Sequence, residues 1–335
     1  MSIPASKGGA CPSPGAVGWK RLAERTPGIL HGGRTSKARL ATRDSFPAAI
    51  SCFKSSEKAL VLQDLTSPAL IAAVEENVGA WTRLKGKLPG VELHDDGDAV
   101  WIFSTLPGRG GAVALARFSE ETADARIGEI LAYHRYHLKP TLGWTGPASA
   151  PADLGRRLRA HGLHCQRRLP GMAIDLHALK TGFRRPEGLV LSSIEDFSIF
   201  KRHEHPFFGP ATSERRRNLI AGIDWMVRQE PQRAWHFVAT LDGVPLACAT
   251  VFLGAGVAGL YHVATVEKAR GRGIGKAVTL AALEHARELG YRAAILHSSP
   301  EGLVIYRQIG FEEICQVDHW YYSKTRQIAQ RLAGR

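Results

Sequence analysis

The run Arg270-Gly271-Arg272-Gly273-Ile274-Gly275 narrows the folds open to this chain more than any other feature. It follows the β-prone stretch YHVATV and opens 275–289, a strong helix former ended by Gly290. Glycines let a backbone turn tightly and approach a ligand, and a helix N-terminus offers unpaired N–H groups with a favourable dipole. Strand, glycine turn and helix together make a cradle for a diphosphate, with Arg270 and Arg272 adding charge. A Walker A loop would end in Gly-Lys-Ser/Thr, which is missing after Gly271. A Rossmann fingerprint would read GxGxxG in the first βαβ unit, whereas Gly271, Gly273 and Gly275 alternate and come late.

The surrounding pattern interleaves strands with helices. Residues 212–229 read as a helix, and 235–266 as three strands turned at Asp242-Gly243 and at the glycines near 254–259. YRAAILHSS is a buried strand, 301–308 a short helix and FEEICQVDHWYY a last strand. The first half runs through a similar succession. Residues 57–80 suggest one or two amphipathic helices, VELHDDGDAVWIFS a strand–turn–strand, and AVALARF a third strand. A helix over 119–136 with Ser119 as its cap, the short strand KPTLGWTGP, a helix over 153–160 and the extended GLHCQRRLPGMAIDL complete it. The expected class is a layered α/β (α+β) fold: two domains, each a mixed, mostly antiparallel sheet flanked by helices, the C-terminal one complete. The expected limits are a basic segment at 1–56, a first domain at 57–176, a linker at 177–189, a catalytic domain at 190–325 and a basic tail at 326–335.

Two motifs in order carry a resemblance. Arg270, Gly273 and Gly275 match the [Gln/Arg]-x-x-Gly-x-[Gly/Ala] turn of the GCN5-related N-acetyltransferase superfamily, and Tyr306, Gly310 and Phe311 match its later Tyr-x-x-x-Gly-Phe. The clear resemblance covers about 190–322, while 60–176 looks like a degenerate second copy without the turn. What the resemblance implies is acetyl-CoA as co-substrate, bound where one strand splays from its neighbour. The backbone at Ala264, Thr265 and Val266 would hold the pantetheine arm. The amides of Arg270, Gly271, Arg272, Gly273, Ile274, Gly275 and Lys276 would hold the pyrophosphate. Tyr306 would protonate the leaving thiolate as an amine attacks the thioester directly.

The group that takes a proton from the amine is less marked. Such enzymes often place a Glu on the strand before the turn, but here the strand reads Leu260-Tyr261-His262-Val263-Ala264-Thr265. His262 is the candidate base or substrate ligand. Alternation puts it on one face with Ala264. His297 is the next candidate; a structural role for either, or a water chain as base, stays open. Ser299 stands where the family often has Asn. His205, Phe207 and Phe208, in HEHPFFGP, are candidate acceptor contacts; Trp101, Trp144 and Met172 read as packing. The expected reaction is acetyl transfer to the amine of a small molecule in a ternary complex. The rival expectation is an acyl-CoA-binding regulatory module without turnover.

Charge and cysteines bound the partners. The formal net charge is +13, yet 1–56 holds nine Lys/Arg against Glu24 and Asp44, and 323–335 holds four basic residues and no acid. The remainder is nearly balanced, which argues against a nucleic-acid partner. Five cysteines without a CxxC pair give neither a disulfide framework nor a zinc site, so no metal is expected. No stretch of 18 apolar residues exists, and the first residues show no continuous apolar region. A cytoplasmic monomer or homodimer is the expectation.

Overall fold

A computed structural model describes residues 61–106, 110–137, 139–180, 182–194 and 214–322. All of them lie in one unit spanning 39–335. The first half contains α1 (Ser67–Gly86), β1 (Val91–Asp95), β2 (Val100–Ser104), β3 (Gly111–Ala114), α2 (Ala123–Tyr136), β4 (Thr141–Thr145), α3 (Leu154–Ala160) and β5 (His164–Asp175). The second contains β6 (Val190–Ile194), α4 (Glu214–Gln229), β7 (Ala234–Leu241), β8 (Val244–Gly254), β9 (Val257–Thr265), α5 (Ile274–Glu288), β10 (Ala293–His297), α6 (Pro300–Ile309) and β11 (Glu312–Tyr322). The expected elements are all present. Two bounds move most: the helix expected within 57–80 runs from Ser67 to Gly86, and α2 begins at Ala123, because Ser119 is spent accepting the Thr122 N–H at 3.2 Å one turn earlier.

The strands form one 11-stranded sheet in the order β1-β2-β3-β4-β11-β5-β10-β9-β8-β7-β6. Parallel pairing between its strands occurs at β3–β4 and at β9–β10, one pair in each half. The centre of the sheet is an exchange. The last strand of the second half, β11, pairs with β4 of the first, and β5 of the first half pairs with β10 of the second. β5 and β11 then pair with each other along most of their length. The two halves therefore share a sheet rather than abut as separate ones.

Helix α1 belongs to the first half by sequence yet packs across both. Val78 joins Val100 and Ala114 on one side, while Trp81 packs with Phe252 on the other. Trp81 also stacks on Tyr261, with ring centroids 4.8 Å apart. The fully buried Asn77 anchors this crossing. Its Nδ2 donates to the Gly254 carbonyl at 2.7 Å, and its Oδ1 accepts from the Tyr261 hydroxyl at 2.6 Å. Buried polar atoms paired in this way avoid a desolvation penalty of about 1–3 kcal/mol each, so the network fixes where α1 can sit. Gly259 lies beneath it, where a Cβ would stand 2.2 Å from the Asn77 Oδ1.

Candidate active site

β9 and β10 hydrogen-bond only at their starts, where Ala258 faces Ala294 and Gly259 faces Ile295. Beyond Gly259, β9 remains paired with β8 on one edge but leaves β10 on the other. The divergence coincides with a bulge: Thr250 pairs with Tyr261 but Cys248 with Ala264, and His262 takes φ 53°. A left-handed histidine is an uncommon conformation, and the bulged strand bends where it occurs. Ala264 and Thr265 thus present backbone to an open edge, while the Val266 N–H donates to Leu246 at 2.8 Å.

The glycine turn sits at the end of that edge. Gly271 and Gly273 have φ of 73° and 76°, and Gly273 is the N-cap of α5. A Cβ on Gly275 would lie 2.7 Å from the Thr265 Oγ1, so glycine allows the helix to start tight against β9. The amide of Ala277 is the first in the helix to find a carbonyl, that of Gly273. Among the described residues, the amides from Gly271 to Lys276 donate to nothing. No acid stands in the first turn. These unpaired donors, with the helix dipole, fit a diphosphate. One neighbour was invisible in the sequence pattern: Phe183 of the connecting segment lies over the turn, with the Lys276 Nζ 5.1 Å from its ring centroid.

α6 begins directly after β10. Ser299 is its N-cap, accepting the Gly302 N–H at 3.3 Å, so this hydroxyl is engaged in local structure. Tyr306 is only 9% exposed, packed against Phe311 and beside Gly302, whose missing side chain makes room for the ring. Its hydroxyl has no hydrogen-bond partner among the described residues. Burial pushes its pKa up to about 12, which keeps it protonated at neutral pH.

Opposite the α5 face, the sheet carries the histidines. The His262 Nδ1 lies 3.3 Å from the Thr250 Oγ1, which lies 2.7 Å from the Nδ1 of buried His236. Tyr261 and Ala264 pack on this same face, so His262 does share it with Ala264, and the bulge adds Tyr261. His297 ends β10, its ring 5.7 Å from that of His319. Burial, aided by His319, lowers the His297 pKa to about 3. At neutral pH its ring is therefore a hydrogen-bond partner rather than a cation. His205, Phe207 and Phe208 lie outside the described residues.

The buried histidines set an acid limit on stability. Burial holds His297 at about 3, His319 at about 4 and His285 at about 4. In the unfolded chain each takes up a proton near pH 6.5. Between about pH 6.5 and 4 the unfolded state binds more protons, so stability rises with pH across that window and is indifferent to these groups above it. The expected outcome is a urea midpoint that falls as pH drops from 7 to 5, with the unfolding free energy decreasing by at most about 1.4 kcal/mol per pH unit per histidine. A midpoint constant over that range would show that the folded state accommodates their charge.

The first half lacks the parts just described. Leu115 also has a positive φ, 53°, just after β3, echoing His262. However, Glu120, Glu121 and Asp124 flank the start of α2 where the second half has Arg-Gly-Arg-Gly, and their charge opposes an anion there. Leu158, Gly162 and Leu163 repeat the spacing of Tyr306, Gly310 and Phe311, putting an aliphatic side chain in the tyrosine's place.

Comparisons with known proteins agree with this geometry. Residues 197–311 match the Acetyltransferase (GNAT) family. A stretch of 66 residues is 38% identical to mycothiol acetyltransferase of Saccharomonospora viridis, spanning 19% of this chain and 22% of that relative. A GCN5-related N-acetyltransferase from Kribbella flavida superposes with a TM-score of 0.53 at 18% identity, covering 73% of this chain and 95% of its own. A tandem GNAT protein from the clavulanic acid biosynthesis pathway gives a TM-score of 0.53 at 16% identity, covering 78% and 95%. The chain has the GNAT superfamily fold in a tandem arrangement. Among the described residues, no group of side chains could hold a metal ion, and no helix is long and apolar enough to cross a membrane.

Proposed function

We propose that this protein is an acetyl-CoA-dependent N-acetyltransferase acting on the amine of a small molecule, with its active site in the second half. The observation that carries the reading is the run of unpaired amides from Gly271 to Lys276, placed at the open edge where β9 leaves β10. The pyrophosphate of acetyl-CoA suits those donors, and the pantetheine arm suits the free backbone edge at Ala264 and Thr265. The acceptor enters from the α1 face. It arrives as an ammonium, and a proton must leave before its nitrogen attacks the thioester carbon. His262, linked through Thr250 to His236, takes that proton directly or through water. A C–N bond forms, the C–S bond breaks, and Tyr306 gives its hydroxyl proton to the departing thiolate.

Calorimetry with acetyl-CoA, followed by thiol release over a panel of amines, tests the proposal. Saturable binding and amine-dependent release are expected. Binding with no release across a broad panel would leave the protein as an acyl-CoA-binding module instead.

A further inference from the structure

Thr250 stands between two histidines and has one hydroxyl proton to give. It lies on β8, fully buried, directly across the ladder from His236 on β7 and from Tyr261 on β9. Its Oγ1 is 2.7 Å from the His236 Nδ1 and 3.3 Å from the His262 Nδ1. Regular alternation would send His262 to the face opposite Tyr261. The bulge between Cys248 and Thr250 and the φ of 53° bring it round to Thr250 instead. It is then held there: the Cys248 thiol donates to the His262 carbonyl at 3.2 Å, and Trp81 of α1 packs against the imidazole with ring centroids 5.7 Å apart. An uncommon backbone conformation, fixed where β9 leaves β10, points to a role for the ring it aims.

Counting protons limits how the three groups can bond. A hydroxyl donates once, and a neutral imidazole has one N–H and one accepting nitrogen. Thr250 therefore cannot donate to both histidines. Whichever ring receives its proton, the other ring must donate to its oxygen. The two distances choose between these arrangements. Hydroxyl donors make the shorter bonds, centred at about 2.7–2.8 Å, whereas N–H donors to oxygen run longer, from about 2.9 Å upward. The 2.7 Å contact suits the Thr250 hydroxyl donating to the His236 Nδ1, and the 3.3 Å contact suits the His262 Nδ1–H donating to the Thr250 Oγ1.

We infer that Thr250 and His236 are positioning residues that keep the proton of neutral His262 on Nδ1 and leave Nε2 as its accepting nitrogen. A free histidine side chain prefers the opposite tautomer, and the bond made at one ring nitrogen sets the state of the other. When Nε2 takes a proton, the Nδ1–H still donates to Thr250 and Thr250 still donates to His236, so no bond in the chain has to reverse. This rests on the acetyl-transfer reading only for the source of that proton, the acceptor ammonium; the tautomer itself does not depend on turnover.

The test reads the tautomer directly, from long-range proton–nitrogen couplings in the full chain carrying isotope-labelled histidine. At about pH 8.5, roughly two units above an ordinary histidine pKa, the ring is neutral. His262→Gln identifies the His262 signals by their loss. The wild type is expected to carry the His262 proton on Nδ1. Thr250→Val keeps the shape and removes the hydroxyl; it is expected to move that proton to Nε2 and to lower kcat by about 10-fold or more with KM little changed, and Thr250→Ser to restore both. A wild-type His262 protonated at Nε2, or a Thr250→Val protein that keeps the Nδ1 proton and full kcat, would overturn the inference. The wild-type spectrum decides alone should Thr250→Val fail to fold. An Nδ1 proton in a protein that turns over no amine removes the transferase reading and leaves the hydrogen-bond chain standing, while turnover with the proton on Nε2 removes only the chain.

Discussion

Replacing Tyr306 by Phe is expected to lower kcat by about 10²–10³-fold, with the affinity for acetyl-CoA and the melting temperature little changed. The geometry separates these readouts. The ring packs against Phe311 and over Gly302, contacts that Phe retains, and the hydroxyl bonds to nothing among the described residues. Removing it therefore breaks no protein hydrogen bond and leaves no buried partner orphaned. What it removes is a proton donor held neutral by burial, with its pKa raised to about 12. A thiolate leaving unprotonated carries its full charge through the transition state, so the deficit belongs in kcat rather than in binding. A thioester with a more acidic thiol needs less help, and its turnover should suffer less from the substitution. Unchanged kcat in Tyr306→Phe would remove the acid role and leave this tyrosine as packing.

The parts of this site that were legible in the sequence are those encoded locally. Gly271, Gly273 and Gly275 declare the turn because backbone freedom is a property of the residue itself. The helix after it follows from apolar periodicity, and Tyr306 from its spacing to Gly310 and Phe311. Glu75 was not legible: in sequence it is one polar position on an amphipathic helix, and only the distant Ala148 N–H and Ser149 hydroxyl, which donate to it, give it a structural role. Phe183 was hidden for the same reason, inside a segment whose Pro, Gly and charge mark it simply as a connection. The His262 bulge was hidden because a positive φ is uncommon for any non-glycine residue, and one histidine in a β-prone run does not announce φ of 53°. Strand exchange is the extreme case. FEEICQVDHWYY announces a strand, but a strand's alternation names its two faces and not its two neighbours.

That exchange makes a second large effect the expected one: residues 183–335 expressed alone should fail to form a folded protein, although they contain both motifs. Cut there, β10 loses its antiparallel neighbour β5, with pairs from Ala293↔Asp175 to His297↔Gly171. β11 loses both β4 and β5 and becomes a strand with no partner. The core under α5 loses Met172, Ile174, Leu176 and Leu179, buried against Leu296, Tyr306 and Ile309. At about 1.5–3 kcal/mol for each large apolar side chain buried, that loss alone approaches the whole stability of an ordinary domain. The exposed edge of β10 also becomes a template for aggregation. Co-expressing 1–182 with 183–335 should restore a complex that co-elutes, melts cooperatively and binds acetyl-CoA, because every lost contact is supplied in trans. A lone 183–335 fragment that melts cooperatively and binds acetyl-CoA with full-length affinity would show that β5 and β11 serve their own halves well enough, and that the shared sheet is dispensable to the site.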